Sequence, residues 1–191
     1  MPKRPKILQQ QIVAESHLFK VEELHLEFTN GTRRTYERLV SQGLGAVMIV
    51  ALNEQQEVVL IREYAGGFHD YVLTLPKGLI DPGEDALAAA NRELKEETGY
   101  GAKRLELLTQ LSLAPNYMGH KMHVVLARDL YPCKLEGDEP EPLEVVLHPL
   151  QDLNTLMAKD DFHEARSIAA LFLTREKLFS EQENYQEHNG D

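Results

Sequence analysis

The chain has 191 residues, 42% of them hydrophobic and 27% charged, with a formal net charge of −11. That length buries a full core without staples and fits one domain, or one domain with a small appendage. The excess of acid argues against a nucleic-acid backbone or an anionic membrane as main partner, although a bound cation can invert a local field and so leaves small anionic ligands open. A single cysteine, Cys133, allows no intrachain disulfide and fits a reducing, cytoplasmic location. The start "MPKRPKILQQQ" is basic but leads into glutamines, so it does not read as a secretory signal. No run of about 18 apolar residues is present to span a membrane.

In chain order, "ILQQQIVAES" reads as a weak strand and residues 18–40 as a hairpin turning at Asn30-Gly31. Together they predict a small antiparallel sheet, with a break at "SQGLG". The runs "AVMIVAL" and "EVVLIREY" read as buried strands joined by the polar turn "NEQQ". A helix is expected over 85–98, with Asp85 as its N-cap and Gly99 ending it in a left-handed conformation. "LELLTQLSL", "MHVVLARDL" and "LEVVLHPL" follow as strands, the last two separated by the acidic, proline-bearing loop "KLEGDEPEP". Two helices close the chain, near 151–159 and 163–178. Leu153, Leu156 and Met157 share a face of the first, and Ile168, Leu171 and Phe172 a face of the second. Strands flanked by helices imply an α/β or α+β sandwich. The last residues, "SEQENYQEHNGD", read as a polar, frayed end.

The expected helix over 85–98 carries a conflict. At about 100° per residue, Leu87, Ala90 and Leu94 share one face, and Glu93, Glu96 and Glu97 fall together on the adjoining one. Three like charges at that spacing repel one another. They also oppose the negative end of the helix dipole. A solvated acidic face is the ordinary meaning of such a run. A hard divalent cation gives it another, because Mg²⁺ and Mn²⁺ take several oxygen ligands and carboxylates on a rigid helix supply them.

The spacing favours the second meaning. Gly78, five residues, Glu84, seven residues, Arg92-Glu93-Leu94, one residue, Glu96-Glu97, one residue and Gly99 resemble the signature box of the Nudix hydrolases. Those enzymes cleave nucleoside diphosphates linked to another moiety. Tyr100 stands where the family usually has an aliphatic residue, at a position that packs. The resemblance implies a loop–helix–loop in which Glu93 and Glu97 ligate catalytic metal and Glu96 completes the cluster. Arg92 and Glu84 would pair across the loop, and the main-chain carbonyl of Lys77 would add a ligand. The implied fold is an α/β/α sandwich with a mixed sheet, here preceded by the small antiparallel sheet. The implied division is an N-terminal β subdomain at 1–45, a hydrolase domain at 46–180 and a tail at 181–191.

The box implies diphosphate cleavage but not the leaving groups. The N-terminal sheet together with "IREY" resembles the ADP-ribose and nucleoside-diphosphate-sugar branch of the family, and Arg62 suits bidentate phosphate binding. Pro115, fifteen residues past the box, matches the offset that marks ADP-ribose hydrolases. Tyr117 lies near the position associated with dinucleoside polyphosphate hydrolases. No "SQPWPFPQS"-like stretch follows, so the dedicated NADH-hydrolase pattern is absent. The doubled marker resembles the bacterial ADP-compounds hydrolases, which implies ADP-ribose, NADH and short diadenosine polyphosphates as substrates and a homodimer built through 1–45. Pro115 also reads as a turn proline, Tyr117 as a packing residue and Arg62 as an edge charge. Phe68 and Tyr71 read as adenine-stacking or core rings. The branch pattern puts the general base at Glu141, three residues before Glu144-Val145, with Glu139 the runner-up. His120 and His123 stand as further acid–base candidates. A nucleotide-sensing module without catalysis and a nucleoside triphosphate pyrophosphohydrolase remain as alternatives. The intact box opposes the first, and the extra sheet and Pro115 oppose the second.

Overall fold

The computed structural model describes residues 2–40 and 43–189, with side chains through residue 184. Ser41 and Gln42, within the expected break, and the final two residues of the expected tail lie outside the described residues. The chain divides into two compact units, Met1–Gly43 with Ser112–Lys121, and Leu44–Leu111 with Met122–Asp191.

The N-terminal unit is an antiparallel meander of β1 (Lys6–Glu15), β2 (Lys20–Glu27) and β3 (Arg33–Leu39). The β2–β3 register runs from Val21↔Leu39 to Glu27↔Arg33. Its turn sits where Asn30-Gly31 predicts. Gly31 takes φ 80°, which suits glycine, and the Asn30 side chain accepts from the Thr32 amide at 3.0 Å. The unit also holds a second segment of chain, 112–121, which the expected 1–45 boundary does not include. The Leu39 amide donates to the Tyr117 carbonyl at 2.8 Å and ties that segment to β3.

In the larger unit, β4 (Ala46–Ala51) is buried at every residue. It pairs in parallel with β9 (Lys121–Pro132) and antiparallel with β7 (Lys77–Leu79), and β8 (Tyr100–Ser112) completes the order β7-β4-β9-β8. This sheet is mixed, as expected. With both edges of β4 occupied, β5 (Glu57–Ala65) leads a second sheet between β10 (Glu144–Pro149) and β6 (Asp70–Thr74). The "NEQQ" turn therefore crosses between sheets. β6 and β7 escape sequence reading because both are short and the proline and glycine of "TLPKGL" read as loop.

Period-two alternation sorts the β4 side chains onto two cores. Val47, Ile49 and Ala51 meet Ala89, Ala90 and Leu94 of α1 (Ala86–Thr98) on one face. Met48 and Val50 meet Leu153 and Leu156 of α2 (Leu153–Met157), and Ala170 and Leu171 of α3 (Ala165–Asn189), on the other. Helix, sheet and helix thus form three layers. The helix α3 runs past the expected residue 178 because "KLFSEQENYQEHN" is rich in good helix formers and holds no Gly or Pro. Among the described residues no helix is long and apolar enough to cross a membrane.

Candidate active site

The glutamates of the conflicted turn are carried by α1, whose ends are fixed as its caps dictate. The Asp85 carboxylate accepts from the Leu87 and Ala88 amides at 2.9 and 2.8 Å, and Gly99 takes φ 78° while its amide bonds the Lys95 carbonyl. Leu94 at the helix centre is fully buried, which fixes the rotation of α1 and turns Glu93, Glu96 and Glu97 toward β7 and a cleft.

Arg92 organises the loop. Its Nε and Nη2 each donate to one oxygen of Glu84 at 3.0 Å, and Nη2 also reaches the Leu79 carbonyl at 3.0 Å. This bidentate fork closes the loop onto the helix, the pairing that the box implies. Nη1 donates to Glu93 at 2.8 Å and to Glu96 at 2.9 Å. Glu97 turns the other way, and its Oε2 accepts from the Lys77 amide at 2.8 Å. Among the described residues no three His, Cys, Asp or Glu groups stand together as a ready cation cluster.

Burial shapes the charges. Glu97 is 7% exposed, and its carboxyl is pushed up to about 8, chiefly by burial, against the pull of the Lys77 charge and amide. Glu93 is also raised, by burial first and by Glu96 and Asp138, with Arg92 opposing. A Cβ at Gly78 would lie 2.0 Å from the Glu93 carboxyl carbon, so any larger residue there would displace that carboxylate. These observations fit a divalent cation. Two half-buried or buried carboxylates are poorly compensated, and a backbone without a side chain is pressed against one of them. The donor set of Glu93, Glu96, Glu97 and the Lys77 carbonyl is all oxygen, as Mg²⁺ or Mn²⁺ requires.

Opposite the turn lies the acidic loop. A cleft of about 1020 Å³ is lined by Lys77, Gly78, Glu93, Glu96 and Glu97 on one side and by residues 134–143 on the other. Lys134 Nζ donates to the Glu96 carbonyl at 2.6 Å, placing a cation at the negative end of α1. Both base candidates line the cleft, but in different company. Glu141 accepts the Tyr71 hydroxyl. Glu139 is raised by partial desolvation and by the charges of Glu63 and Asp138, against Lys77.

Glu63 has no place in the sequence reading, which passes from Arg62 to Tyr64. It forms an ion pair with Lys77 Nζ beside Glu97. Only the fold brings β5 to β7, and no local pattern marks the residue. Arg62, expected to bind phosphate, is held by Asp161 and by Glu144, the latter at 2.8 Å and directly across the β5–β10 ladder. It lines a smaller pocket of about 310 Å³ with Tyr64, Tyr71 and residues 139–144. Phe68 packs edge-on against His163 at 4.9 Å. Pro115, Tyr117 and His120 belong to the N-terminal unit's second segment, where the Tyr117 ring is exposed. His123, on β9, is paired with Gln110 at 3.1 Å and is not among the residues lining the cleft.

Comparison with known proteins covers nearly the whole chain. Residues 44–172 match the model of the NUDIX domain, and residues 5–38 match that of the NudE-type Nudix hydrolase N-terminal domain. The chain is 54% identical over 175 residues to the ADP compounds hydrolase NudE of Escherichia coli (strain K12), covering 92% of this chain and 94% of that protein. It is 29% identical over 173 residues to the ADP-ribose pyrophosphatase of Bacillus subtilis (strain 168), covering 87% and 92%. A crystal structure of an ADP compounds hydrolase superposes with a TM-score of 0.90 at 52% identity, over 95% of this chain and 97% of that one.

Proposed function

The chain belongs to the Nudix family, and from that premise we propose that it is a metal-dependent pyrophosphohydrolase that opens the diphosphate of ADP-containing compounds and releases AMP. The observation that carries this reading is the Arg92 fork on Glu84, whose guanidinium also bonds Glu93 and Glu96 while the Lys77 amide bonds Glu97, so that all three glutamates line one cleft. The substrates we propose are ADP-ribose, NADH and short diadenosine polyphosphates. ADP-ribose would yield AMP and ribose 5-phosphate, and NADH would yield AMP and reduced nicotinamide mononucleotide.

Glu93, Glu96, Glu97 and the Lys77 carbonyl are the groups that would hold Mg²⁺ or Mn²⁺. Such an ion, when bound, neutralises the diphosphate and lowers the pKa of water. The protein's own part is positioning and proton transfer. Water adds to one phosphorus, the bridging P–O bond breaks, and the water's proton passes to a carboxylate of the acidic loop. Sequence register favours Glu141 as that base. One observation favours Glu139 instead: its carboxyl is raised and stands in the field of Glu63 and Lys77, whereas Glu141 is engaged by Tyr71. We therefore put Glu139 first and keep Glu141 as the second reading. For Arg62, Pro115 and Tyr117 we propose contact with the substrate's nucleotide and phosphate groups.

A homodimer through 1–45 is part of the proposal. β1 leaves Ile7, Leu8, Ile12 and Val13 each more than 40% exposed, an apolar surface on a three-stranded sheet that a second copy would cover. Sedimentation giving a monomer at micromolar concentration would remove it. A cytoplasmic location fits the single cysteine. The hydrolase reading is tested with purified protein, Mg²⁺ and a panel of ADP-ribose, NADH, diadenosine triphosphate and ATP, reading products by chromatography. AMP from the first three is expected. Binding of ADP-ribose without AMP release would make the chain a sensing module, and pyrophosphate from ATP alone would make it a triphosphate pyrophosphohydrolase.

A further inference from the structure

The acidic loop between β9 and β10 has an electrostatic problem. Glu136, Asp138, Glu139 and Glu141 face a turn that already holds three glutamates, so the loop is repelled from the place where its carboxylate is needed. Its near end is tied to α1. The Cys133 and Leu135 amides donate to the Gly99 and Lys95 carbonyls at 2.8 and 3.3 Å, and Lys134 reaches the Glu96 carbonyl. Those bonds stop four residues short of Glu139. At the far end, the Tyr71 hydroxyl donates to Glu141.

We propose that Tyr71 is a positioning residue for the hydrolysis: its hydroxyl latches Glu141 and so fixes the far end of the acidic loop with Glu139 facing the glutamate turn. This rests on the reading that the loop supplies the base. The latch itself is rigid. Tyr71 sits opposite Tyr64 in the β5–β6 ladder, and the two rings meet edge to face with centroids 5.9 Å apart. The Tyr64 hydroxyl is in turn bonded to His69 Nδ1 at 2.8 Å. A phenol is also a donor without a charge of its own, so it holds one carboxylate without neutralising the loop.

The sequence explains how a hold on Glu141 reaches Glu139. In "EPEP" each glutamate precedes a proline, so Pro140 and Pro142 have fixed φ, and Glu139 and Glu141 are confined to extended backbone. Two residues of stiff chain connect the latched carboxylate to the one that faces Glu63 and Lys77. The smaller pocket is lined by both partners of the latch and by this stiff segment.

The test is steady-state AMP release from ADP-ribose at saturating Mg²⁺, with five variants. Tyr71→Phe should lower kcat about tenfold while KM stays within about twofold, since only the base is misplaced. Its melting temperature should not move, because the ring is 45% exposed and stays in place. Glu141→Ala should match it, and the double variant should be no slower than either single one. A Tyr71→Phe enzyme within twofold of wild type, or multiplied losses in the double variant, overturns the latch. A raised KM at unchanged kcat overturns it too, and makes Tyr71 a substrate-binding ring. The underlying reading fails separately, and takes the latch with it, if Glu139→Gln and Glu141→Gln both keep full rate. A crippled Glu141→Gln enzyme beside an active Glu139→Gln one moves the base to Glu141 and ends the anchoring role.

Discussion

Glu164 and Glu97 stand at opposite kinds of helix end, both largely shielded from water, and they are treated in opposite ways. Glu164 precedes the first turn of α3. Its carboxylate accepts from the Arg166 Nε at 2.7 Å, the Ser167 amide at 2.8 Å and the Ser167 hydroxyl at 2.9 Å. Burial pushes its pKa up, but Arg166 and Ser167 outweigh burial and hold it below the usual carboxylate range. Glu97 lies in the last turn of α1, where the helix dipole is against it, and burial drives it up to about 8. The first arrangement stabilises the fold. The second is a local cost, and clustered costs of this kind are where chemistry is to be sought.

The sharpest way to test that contrast is to neutralise each residue. Glu97→Gln should cut turnover by about a hundredfold or more at saturating Mg²⁺, yet leave the chelated protein as stable as wild type or more so. A mutant retaining over half the wild-type rate would remove Glu97 from the metal site. Glu164→Ala should do the reverse. Loss of the cap should cost about 1–2 kcal/mol in denaturant unfolding. Because the Ser167 hydroxyl also bonds Thr74 and accepts from the Leu75 amide, the loss should spread to the end of β6. Its kcat per folded molecule should stay within about twofold of wild type. If Glu164→Ala instead lowers kcat at unchanged stability, the two helix ends are not separate in function.

Acid and base should pull on the two residues with opposite sign. For Glu164 the folded pKa is depressed, so its contribution is present above the ordinary carboxylate pKa of about 4.3 and is lost as pH falls through the lower folded value. Asp161, held low by its bond to Arg62, adds in the same direction. Glu97 has a raised folded pKa. Between the ordinary carboxylate range and about 8 the folded state keeps a proton that the unfolded state has lost, so stability falls as pH rises through that window. Melting temperatures of the chelated protein across this range should therefore fall on both sides of a maximum. Glu164→Ala should flatten the acidic side and Glu97→Gln the upper side. A profile unchanged by either substitution would mean that neither carboxylate is linked to folding.

The same contrast explains what could be read in the sequence. The core strands β4, β5 and β9 carry apolar runs, and the hydrophobic face and caps of α1 follow from period and residue type alone. The Arg92–Glu84 fork is legible because its partners keep a fixed spacing within one local motif. Glu63 is not, because the fold brings it to Lys77 across an intervening strand, β6, too short to read. The difference in surroundings between Glu139 and Glu141 is not either. Both are glutamates before prolines, and what distinguishes them is distant in sequence: the hydroxyl of Tyr71, seventy residues before Glu141, and the charges of Glu63 and Lys77 near Glu139. Glu164 was equally hidden, since a capping glutamate looks like any surface acid until its helix start is known.

The smallest expected effect separates nearness to the turn from participation in it. Tyr100 follows Gly99 directly, close in sequence to the glutamates, at the position where the resemblance expects an aliphatic residue. Its side chain is partly buried and packs on the core that holds Leu94 and Ala102. Its main-chain amide bonds the Thr98 hydroxyl at 3.2 Å, which does not depend on the ring. Tyr100→Leu exchanges one packing side chain for another of smaller volume and should change stability by about 1 kcal/mol or less. The kcat for ADP-ribose should stay within about twofold, and the pH–rate profile should be unchanged. A tenfold fall in kcat at constant melting temperature would show that the ring reaches the chemistry, and that the end of α1 does more than hold its three glutamates.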